Sequence, residues 1–347
     1  MKINSHAIGP GNPCYIIAEL SANHAGSYET AARTVQAMKD AGADAVKIQT
    51  YTADTITIAC DKPPFRIAGG TLWDGRTLHE LYQEACMPWE WQPQLMKLAT
   101  DLGLDFFSSP FDDTAVDFLE AMDVPAHKIA SFELIDHALL RKVAATRKPV
   151  IMSTGMALVD EITESLGVLL AAGSGPVALL KCTSAYPAPP ETMNLRTIMD
   201  MAARFDVPVG LSDHTLGHIV PVAAVAMGAC IVEKHFTLSR AQGGPDCAFS
   251  LEPDEFRAMV SAIRTVEHAL GKVNYQPSPD EFKSRVFRRS LFVVQDVKTG
   301  EPFTAANVRC IRPAHGLHPR SLSKVLKARA ACDLAKGTPL TEAHLLS

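Results

Sequence analysis

Two histidines stand at matching places in the sequence, each close behind a run of apolar residues. His214 ends the segment VPVGLSDH, and His235 ends the segment CIVEKH. If these are neighbouring parallel strands, roughly 4.8 Å apart, both imidazoles could bind one divalent ion and leave positions for water and substrate. A histidine at a strand end can equally be a hydrogen-bonded structural residue, so the spacing alone leaves both interpretations open.

Lysines and serines end several other apolar runs. The set consists of Lys47, Ser109, Lys128, Ser131, Ser153 and Ser212. Ammonium groups and hydroxyl donors arranged in a ring suit a phosphate and a carboxylate. Because no P-loop and no G-x-G-x-x-G segment accompanies them, we predict an anionic metabolite rather than a nucleotide. Any one serine alone is as well explained by a strand-end cap, so only the set indicates a binding site.

Eight short apolar runs carry these polar ends, and amphipathic helical stretches separate them. The runs are CYIIAEL (14–20), AVKIQTY (45–51), DFFSSPF (105–111), HKIAS (127–131), PVIMSTG (149–155), VALLKCTS (177–184), VPVGLSDHT (207–215) and CIVEKHFT (230–237). Alternating strands and helices indicate a parallel sheet covered on both faces. Eight such units predict a (β/α)8 TIM barrel of the α/β class with its active site at the C-terminal strand ends. Polar strand ends that merely meet solvent are the alternative.

The eighth run places three ionisable residues side by side. Side chains alternate along a strand, so Glu233 is expected on the same face as His235, where it could orient a metal ligand or a substrate. Lys234 is then expected to point towards the helical layer and to form an ion pair there. Only one of the three residues is expected to bind the metal directly.

A second, smaller domain is predicted after the barrel. We assign 1–272 to the barrel, 273–288 to a polar, proline-containing linker, and 289–347 to the small domain. Within the small domain, DVKTGEPFTAANV (296–308) and DLAKGTPLTEAHL (333–345) share one pattern of aspartate, glycine, proline and threonine. Two related turn-and-strand units of this kind indicate a β-rich fold.

The composition excludes several classes of partner. The net charge is −5 and there is no basic stripe, which argues against nucleic-acid binding. No apolar run is long enough to span a bilayer. The eight cysteines contain no C-x-x-C pair, which suits reduced thiols. We therefore expect a cytoplasmic protein that acts on a small molecule and has neither nucleic-acid nor membrane partners.

Nine motifs, in order, resemble those of the sialic acid synthase family. They are AELSANHAGS, AGADAVKIQTY, FFSSPFD, KIAS, MSTGM, KCTSAYPAP, GLSDHT, VEKHFT and GGPDCAFSLEP. Members condense phosphoenolpyruvate with an acetamido sugar to make a nonulosonic acid, and the repeat-bearing tail resembles their antifreeze-like (SAF) domain. AELSANH and GPDCAFSLEP look most like the pseudaminic acid synthase branch, whose sugar is 2,4-diacetamido-2,4,6-trideoxy-L-altrose and whose product serves glycosylation of surface glycans or flagellin.

The resemblance implies a role for individual residues. His214 and His235 would bind a divalent metal, with manganese expected and magnesium or cobalt as alternatives. The six lysines and serines of the ring would hold phosphoenolpyruvate, and Glu19 would act as acid, base or water-positioning group. The sugar pocket would be lined by Gln49, Phe111, Glu133, Tyr186 and Asp246. In this family the SAF domain is swapped across a homodimer, which would bring Arg312 of one protomer to the sugar in the other.

Two departures and three alternatives stay open. Ser109 stands where some members have threonine. Ser184 stands where sialic acid synthases have asparagine, and this second departure affects the expected contact with the acceptor sugar. An N-acetylneuraminate or legionaminate synthase is the alternative within the family. Barrels that make keto-octulosonate or heptulosonate phosphates need a second cation cluster for their phosphorylated acceptor, and the barrel half has no arginine-rich loop. A non-catalytic carbohydrate-binding or ice-binding protein would have no use for two lysines and two histidines at strand ends.

Overall fold

A computed structural model describes residues 1–346, and the chain divides into two compact units, Met1–Gly271 and Lys272–Ser347. Ser347, the last residue of the predicted small domain, lies outside the described residues. Over the described range, no helix combines the length and the apolar character that crossing a membrane would require. Each unit is described by itself below.

The first unit is a closed barrel of parallel strands, as predicted. It begins with a short antiparallel hairpin of β1 (Lys2–Ile3) and β2 (His6–Ala7). The barrel strands are β3 (Tyr15–Glu19), β4 (Ala45–Thr50), β5 (Asp105–Pro110), β6 (His127–Ile129), β7 (Val150–Ser153), β8 (Val177–Cys182), β9 (Val209–Asp213) and β10 (Ile231–His235). They neighbour one another in chain order, and β10 pairs with β3 to close the ring. The eight-stranded (β/α)8 barrel is therefore confirmed.

Helices connect the strands and cover the outside of the barrel. They are α1 (Tyr28–Asp40), α2 (Ala53–Ile56), α3 (Leu78–Ala85), α4 (Gln92–Asp101), α5 (Asp113–Ala121), α6 (His137–Ala145), α7 (Val159–Ala171), α8 (Thr197–Phe205), α9 (Ile219–Ala226) and α10 (Pro253–Leu270). Several begin at a side-chain cap. Asp112 accepts from two backbone N–H groups at the start of α5, and Asp136 does the same for α6. Such caps satisfy donors that the first helical turn leaves unpaired.

Alternation along each strand divides its side chains between the inside of the barrel and the helical layer. Ile17, Phe107 and Ile231 belong to the apolar cluster that fills the interior. Their sequence neighbours on the same strands, such as Ile16 and Val232, pack instead with the helices. Because both faces of every strand are buried, the polar residues near the strand ends are exceptions that need a local reason.

A buried aspartate holds the N-terminal hairpin against the base of the barrel. Asp105 begins β5 and accepts hydrogen bonds from Asn4 Nδ2 at 2.7 Å, His6 Nδ1 at 2.8 Å and Tyr15 Oη at 2.7 Å. Two of these donors belong to the hairpin and one to β3. The Asp105 carboxylate therefore joins segments about a hundred residues apart in sequence. It does so at the N-terminal ends of the strands, opposite the C-terminal ends that carry the predicted site.

The second unit is a small β-rich domain, as predicted. Its strands and helices are α11 (Pro279–Ser284), β11 (Ser290–Val293), β12 (Val308–Ile311), α12 (Leu322–Val325), β13 (Arg329–Ala330) and β14 (Leu345–Leu346). The segment predicted as a linker is exposed and contains α11. A capping box between Ser278 and Glu281 stabilises the start of this helix. An apolar cluster that includes Phe303 and Leu340 forms the core of the unit.

The internal repeat corresponds to a reciprocal set of hydrogen bonds. Asp333 Oδ1 accepts from the backbone N–H of Thr299 at 2.9 Å. Asp296, at the equivalent position of the first repeat, accepts from the backbone N–H of Lys336 at 2.7 Å. Each repeat's aspartate thus stabilises the turn of the other repeat, which explains why the pattern occurs twice.

The base of the barrel provides a test of stability. Asp105→Asn replaces one carboxylate oxygen by an NH2 group. This new donor would face either the Asn4 donor or the His6 and Tyr15 donors, and no hydrogen bond can form between two donors. We expect a loss of about 1–3 kcal/mol, because a buried group is left unpaired, measured as a lower denaturation midpoint. The control is Asp101→Asn, which removes the same charge from an exposed pair with Lys97 and should cost at most about 1 kcal/mol. Equal midpoints for the two variants would contradict this role of Asp105.

Candidate active site

The C-terminal strand ends bring four residues of the predicted lysine and serine ring into one buried layer. Lys47 Nζ donates to Ser109 Oγ at 3.3 Å, joining β4 to β5. Lys128 Nζ donates to Ser153 Oγ at 2.6 Å, joining β6 to β7. Lys47 is 3% exposed and Lys128 is 2% exposed. Two ammonium groups removed from solvent require anions nearby, because burial of an unpaired charge is costly.

Two buried carboxylates supply that negative charge. Lys47 Nζ lies 2.8 Å from Glu19 Oε2 and 3.6 Å from Glu233 Oε1. Lys128 Nζ lies 3.9 Å from the same oxygen of Glu233, which also accepts from Ser212 Oγ at 3.2 Å. Glu233 shares the inner face of β10 with His235, as predicted. The position of Glu233 between the two lysines was not predicted from the sequence. The alternation of side chains along β10 is the signal that could have placed Glu233 on the inner face, towards the lysines.

Burial and charge act in opposite directions on the two carboxyl groups. Burial raises the pKa of Glu19 to about 7, although the Lys47 ammonium group favours its ionised form. Burial would also raise the pKa of Glu233, but the ammonium groups of Lys128 and Lys47 outweigh it and hold that pKa below its ordinary value. Near neutral pH, Glu233 is therefore the permanent counter-charge, and Glu19 is the group able to exchange a proton.

Ser131 lies beside the layer but not within its lysine contacts. It follows β6, and its Oγ accepts from the backbone N–H of Gly155 at 3.1 Å. A Cβ atom added to Gly155 would lie 2.7 Å from Ser131 Oγ and 2.2 Å from Ser184 Oγ. A side chain at this position would displace the two hydroxyl groups, so the glycine lets the backbone approach them closely and bond Ser131.

The two predicted metal-binding histidines are neighbours. The ring centroids of His214 and His235 are 5.3 Å apart. His214 Nδ1 lies 3.1 Å from the carbonyl oxygen of Thr183, which can only accept, so Nδ1 carries a proton there, and Nε2 has the free lone pair when the ring is neutral. His235 Nδ1 is buried and has no hydrogen-bond partner among residues 1–346. Burial, with the nearby His214, lowers the pKa of His235 far below its ordinary value, so the ring is neutral.

This arrangement fits a metal ion held by two imidazoles. A divalent transition metal binds an imidazole nitrogen through its free lone pair, so metal binding would take the His214 ring in its neutral form. Asp246 Oδ2 lies 3.8 Å from His235 Nδ1 and is the nearest carboxylate oxygen to that ring. No group of three or more histidine, cysteine or acidic side chains is arranged around an ion position in the described part of the chain.

Two of the predicted sugar-binding residues, Tyr186 and Asp246, lie beside the histidines, and a third, Gln49, contacts the charged layer. The ring of Tyr186 lies 4.5 Å from that of His214. Gln49 Nε2 donates to Glu19 Oε1 at 3.1 Å, which joins the predicted sugar side to the charged layer. Asp246 Oδ2 accepts from Ser21 Oγ at 2.5 Å. Burial raises the pKa of Asp246 above its ordinary value.

The other predicted sugar-binding residues are less closely tied to this centre. Phe111 packs against Tyr51, with ring centroids 5.0 Å apart. Glu133 Oε2 is buried without a partner between residues 1 and 346, and burial raises the pKa of this carboxyl group to about 7. Arg312 belongs to the second unit, where its side chain is exposed. The roles given to these residues stay predictions.

A buried ion pair lies behind the two histidines, on the outer face of the strands. Lys234 Nζ is 2.5 Å from Asp213 Oδ2, and both side chains are fully buried. Lys234 also donates to the backbone oxygen of Thr215. The ion pair predicted for Lys234 is thus confirmed, and its partner precedes His214 directly. It joins the ends of β9 and β10, the strands that carry the two imidazoles.

Comparisons with known proteins agree with this geometry. The family model described as NeuB family matches residues 34–275, and the SAF domain model matches residues 288–346. The chain is 46% identical to pseudaminic acid synthase from Campylobacter jejuni strain 81-176, over 94% of this chain and 95% of that protein. It is 42% identical to pseudaminic acid synthase from Helicobacter pylori, over 95% of this chain and 97% of that protein.

A solved structure gives the same result for the fold. The N-acetylneuraminic acid (sialic acid) synthetase from Leptospira borgpetersenii, in complex with citrate, matches with a TM-score of 0.73 and 30% identity. The match covers 82% of this chain and 94% of that one. Because a family model covers most of the barrel and relatives above 40% identity span nearly the whole chain, the protein belongs to the NeuB family and carries a SAF domain at its C-terminal end.

Proposed function

We propose that this enzyme is a pseudaminic acid synthase, which condenses phosphoenolpyruvate with 2,4-diacetamido-2,4,6-trideoxy-L-altrose and releases phosphate. The observation that carries the proposal is the pair of buried lysines, Lys47 and Lys128, next to the two neighbouring imidazoles of His214 and His235 at the barrel mouth. An identity of 42–46% to pseudaminic acid synthases over nearly the full length supports this choice of sugar.

The charged layer suits a substrate that carries both a phosphate and a carboxylate. Lys47 and Lys128 are held at fixed places by hydroxyl groups, so the substrate does not have to order them. Coulomb attraction is stronger in a buried site than in water, and the two ammonium groups would offset the substrate's negative charges. Ser109, Ser153, Ser212 and Ser131 would add hydroxyl hydrogen bonds to the same oxygens.

A divalent metal, with manganese the first expectation, would be held by His214 and His235. When bound, it supplies Lewis-acid polarisation of the aldehyde oxygen of the open-chain sugar. The hydrogen bond of His214 to the Thr183 carbonyl oxygen orients that ring and fixes its tautomer. The buried pair of Lys234 and Asp213 keeps the two strand ends in register behind the rings.

Glu19 is the proposed proton acceptor of the reaction. C3 of phosphoenolpyruvate bonds to the aldehyde carbon, whose oxygen takes up a proton to become a hydroxyl group, and water adds to the electron-poor C2. Glu19, whose pKa of about 7 suits proton exchange near neutral pH, takes the proton that this water loses. Phosphate then leaves with the electrons of the bond between C2 and its oxygen, and the hydroxyl group that water supplied loses its remaining proton to give the C2 ketone, which cyclises to the product. The hydrogen bond from Gln49 and the contact with Lys47 hold the carboxylate in place for this step.

A swapped homodimer in the cytoplasm completes the proposal. Arg312, exposed in the SAF domain, would reach the sugar in the site of the other protomer. Support for this arrangement comes from the family resemblance. All eight cysteines are unpaired, as expected for a protein kept in a reducing compartment.

Phosphate release with a panel of sugars tests the reaction. The enzyme is assayed with phosphoenolpyruvate, manganese and each of three acceptors, namely the diacetamido altrose, the isomer that leads to legionaminic acid, and N-acetylmannosamine. We expect the highest kcat/KM with the altrose, because the sequence resembles that branch most. A preference for another sugar would move the enzyme to that branch, and no turnover with any sugar would favour a non-catalytic binding protein.

Isotope transfer in the same assay tests the mechanism. In oxygen-18-labelled water, the label should enter the C2 hydroxyl group of the product and stay out of the released phosphate. This outcome is expected because water attacks carbon rather than phosphorus. Labelled phosphate, detected by mass spectrometry, would contradict cleavage of the C–O bond.

Replacing one imidazole tests the metal site. His235→Ala should abolish bound manganese, measured by elemental analysis after gel filtration, and lower kcat by at least about 100-fold, because Lewis-acid catalysis contributes several kcal/mol. The control is His268→Ala, since His268 is exposed on α10 and bonds only a backbone oxygen. Full metal content and activity in His235→Ala would remove the assignment.

A further inference from the structure

The long connection between α2 and α3 places Trp73 at the rim of the barrel mouth. Trp73 Nε1 donates to the backbone oxygen of Pro245 at 3.1 Å. Its ring lies 5.9 Å from that of Tyr186, at an angle of 52°. Trp73 comes from the connection after β4, Tyr186 from the one after β8, and Pro245 from the one after β10. One side chain therefore links three of the connections that surround the site.

The tip that carries Trp73 is a braced turn rather than a free loop. The Asp74 carboxylate accepts from the backbone N–H groups of Gly69, Gly70 and Thr71 and from the hydroxyl of Thr71, at 2.7–3.2 Å. These bonds lower the pKa of Asp74 to about 2, so the carboxylate stays charged at neutral pH. The indole is thus held in a defined place.

Trp73 is the outermost ring of an aromatic wall that starts at the metal-binding histidines. Tyr186 lies between Trp73 and His214, and Phe249 packs against both Tyr186 and His235, at 5.3 Å and 5.0 Å. The indole is only half-buried. An aromatic face that remains partly open at the edge of a site offers apolar surface to the C–H groups of a ligand.

We propose that Trp73 is a further sugar-binding residue and a determinant of which acceptor is used. This inference rests on the proposed function. The aldehyde end of the sugar lies at the histidines, so the far end of the chain extends outwards along the Tyr186 and Trp73 rings. A 6-deoxy sugar ends in a methyl group, which packs on an indole face without loss of a hydrogen bond. A sugar with a C6 hydroxyl group has to desolvate it against the same apolar surface.

The nearest competing explanation is that Trp73 only braces the loops. A brace would affect both substrates and the stability of the fold, whereas a sugar-contacting residue affects the acceptor alone. Trp89 provides a matched control, because it is also half-buried and its Nε1 also donates to a backbone oxygen, that of Tyr51, at 3.2 Å.

The kinetic test compares Trp73→Phe, Trp73→Ala and Trp89→Phe with the unmodified enzyme. For Trp73→Ala we expect KM for the diacetamido altrose to rise about three- to tenfold, with Trp73→Phe in between. KM for phosphoenolpyruvate, manganese content and melting temperature should stay within error. The preference for the 6-deoxy sugar over N-acetylmannosamine should fall by a similar factor. Equal effects on both substrates, or an unchanged preference, would overturn the inference.

Fluorescence gives a readout that does not depend on turnover. Adding the altrose to the manganese-loaded enzyme should change the tryptophan emission saturably, and the change should persist in Trp89→Phe and vanish in Trp73→Phe. If no sugar turns over but this signal is present, the proposed reaction fails and the contact of Trp73 with the sugar stands. If the sugar turns over and the signal does not depend on Trp73, the inference fails and the reaction stands.

Discussion

The structure of the mouth depends on the mutual neutralisation of four buried charged groups. Near the C-terminal strand ends, Lys47 Nζ lies within 4 Å of carboxylate oxygens of Glu19 and Glu233. Lys128 Nζ lies within 4 Å of a Glu233 oxygen. Desolvating any one of these ions alone would cost several kcal/mol, so none is stable there without the others. The barrel meets this constraint because its parallel strands bring residues from β3, β4, β6 and β10 together near their C-terminal ends. Lys47 and Lys128 are thereby ordered by carboxylate and hydroxyl groups of the chain itself.

The same alternation explains the three consecutive ionisable residues of β10. Glu233 and His235 face inwards, to the lysines and to His214 respectively. Lys234 faces outwards and is neutralised by Asp213, the residue before His214. Inner and outer charges are therefore balanced separately, and the outer pair fixes the strands on which the inner residues depend. A strand with two buried faces accommodates this sequence because every charge has a partner on its own side.

The sequence predicts those parts of the structure that follow from periodic patterns. The eight strands, their polar ends and the inward and outward directions along β10 all follow from alternation of apolar and polar residues. Contacts made by irregular segments carry no such pattern. Asp105 was predicted only as the first residue of a strand, since its partners Asn4 and His6 are distant in sequence. Likewise, Thr183 orients His214 through its backbone oxygen. Every residue has such an oxygen, so the residue type at position 183 does not predict this contact.

Two different kinds of chain segment form the site, and this difference limits what each can vary. The charged layer stands on strand ends, where a shift of one residue would turn every side chain to the other face and break the charge balance. The aromatic rim stands on connections, where Trp73 and Tyr186 meet through ring contacts and single hydrogen bonds. With the proposed roles, most of the sugar contacts would lie on connections, so the rim could change without disturbing the lysines and carboxylates below it. Gln49 is the exception, because it lies on β4 and bonds Glu19, and it would couple the sugar side to the charged layer.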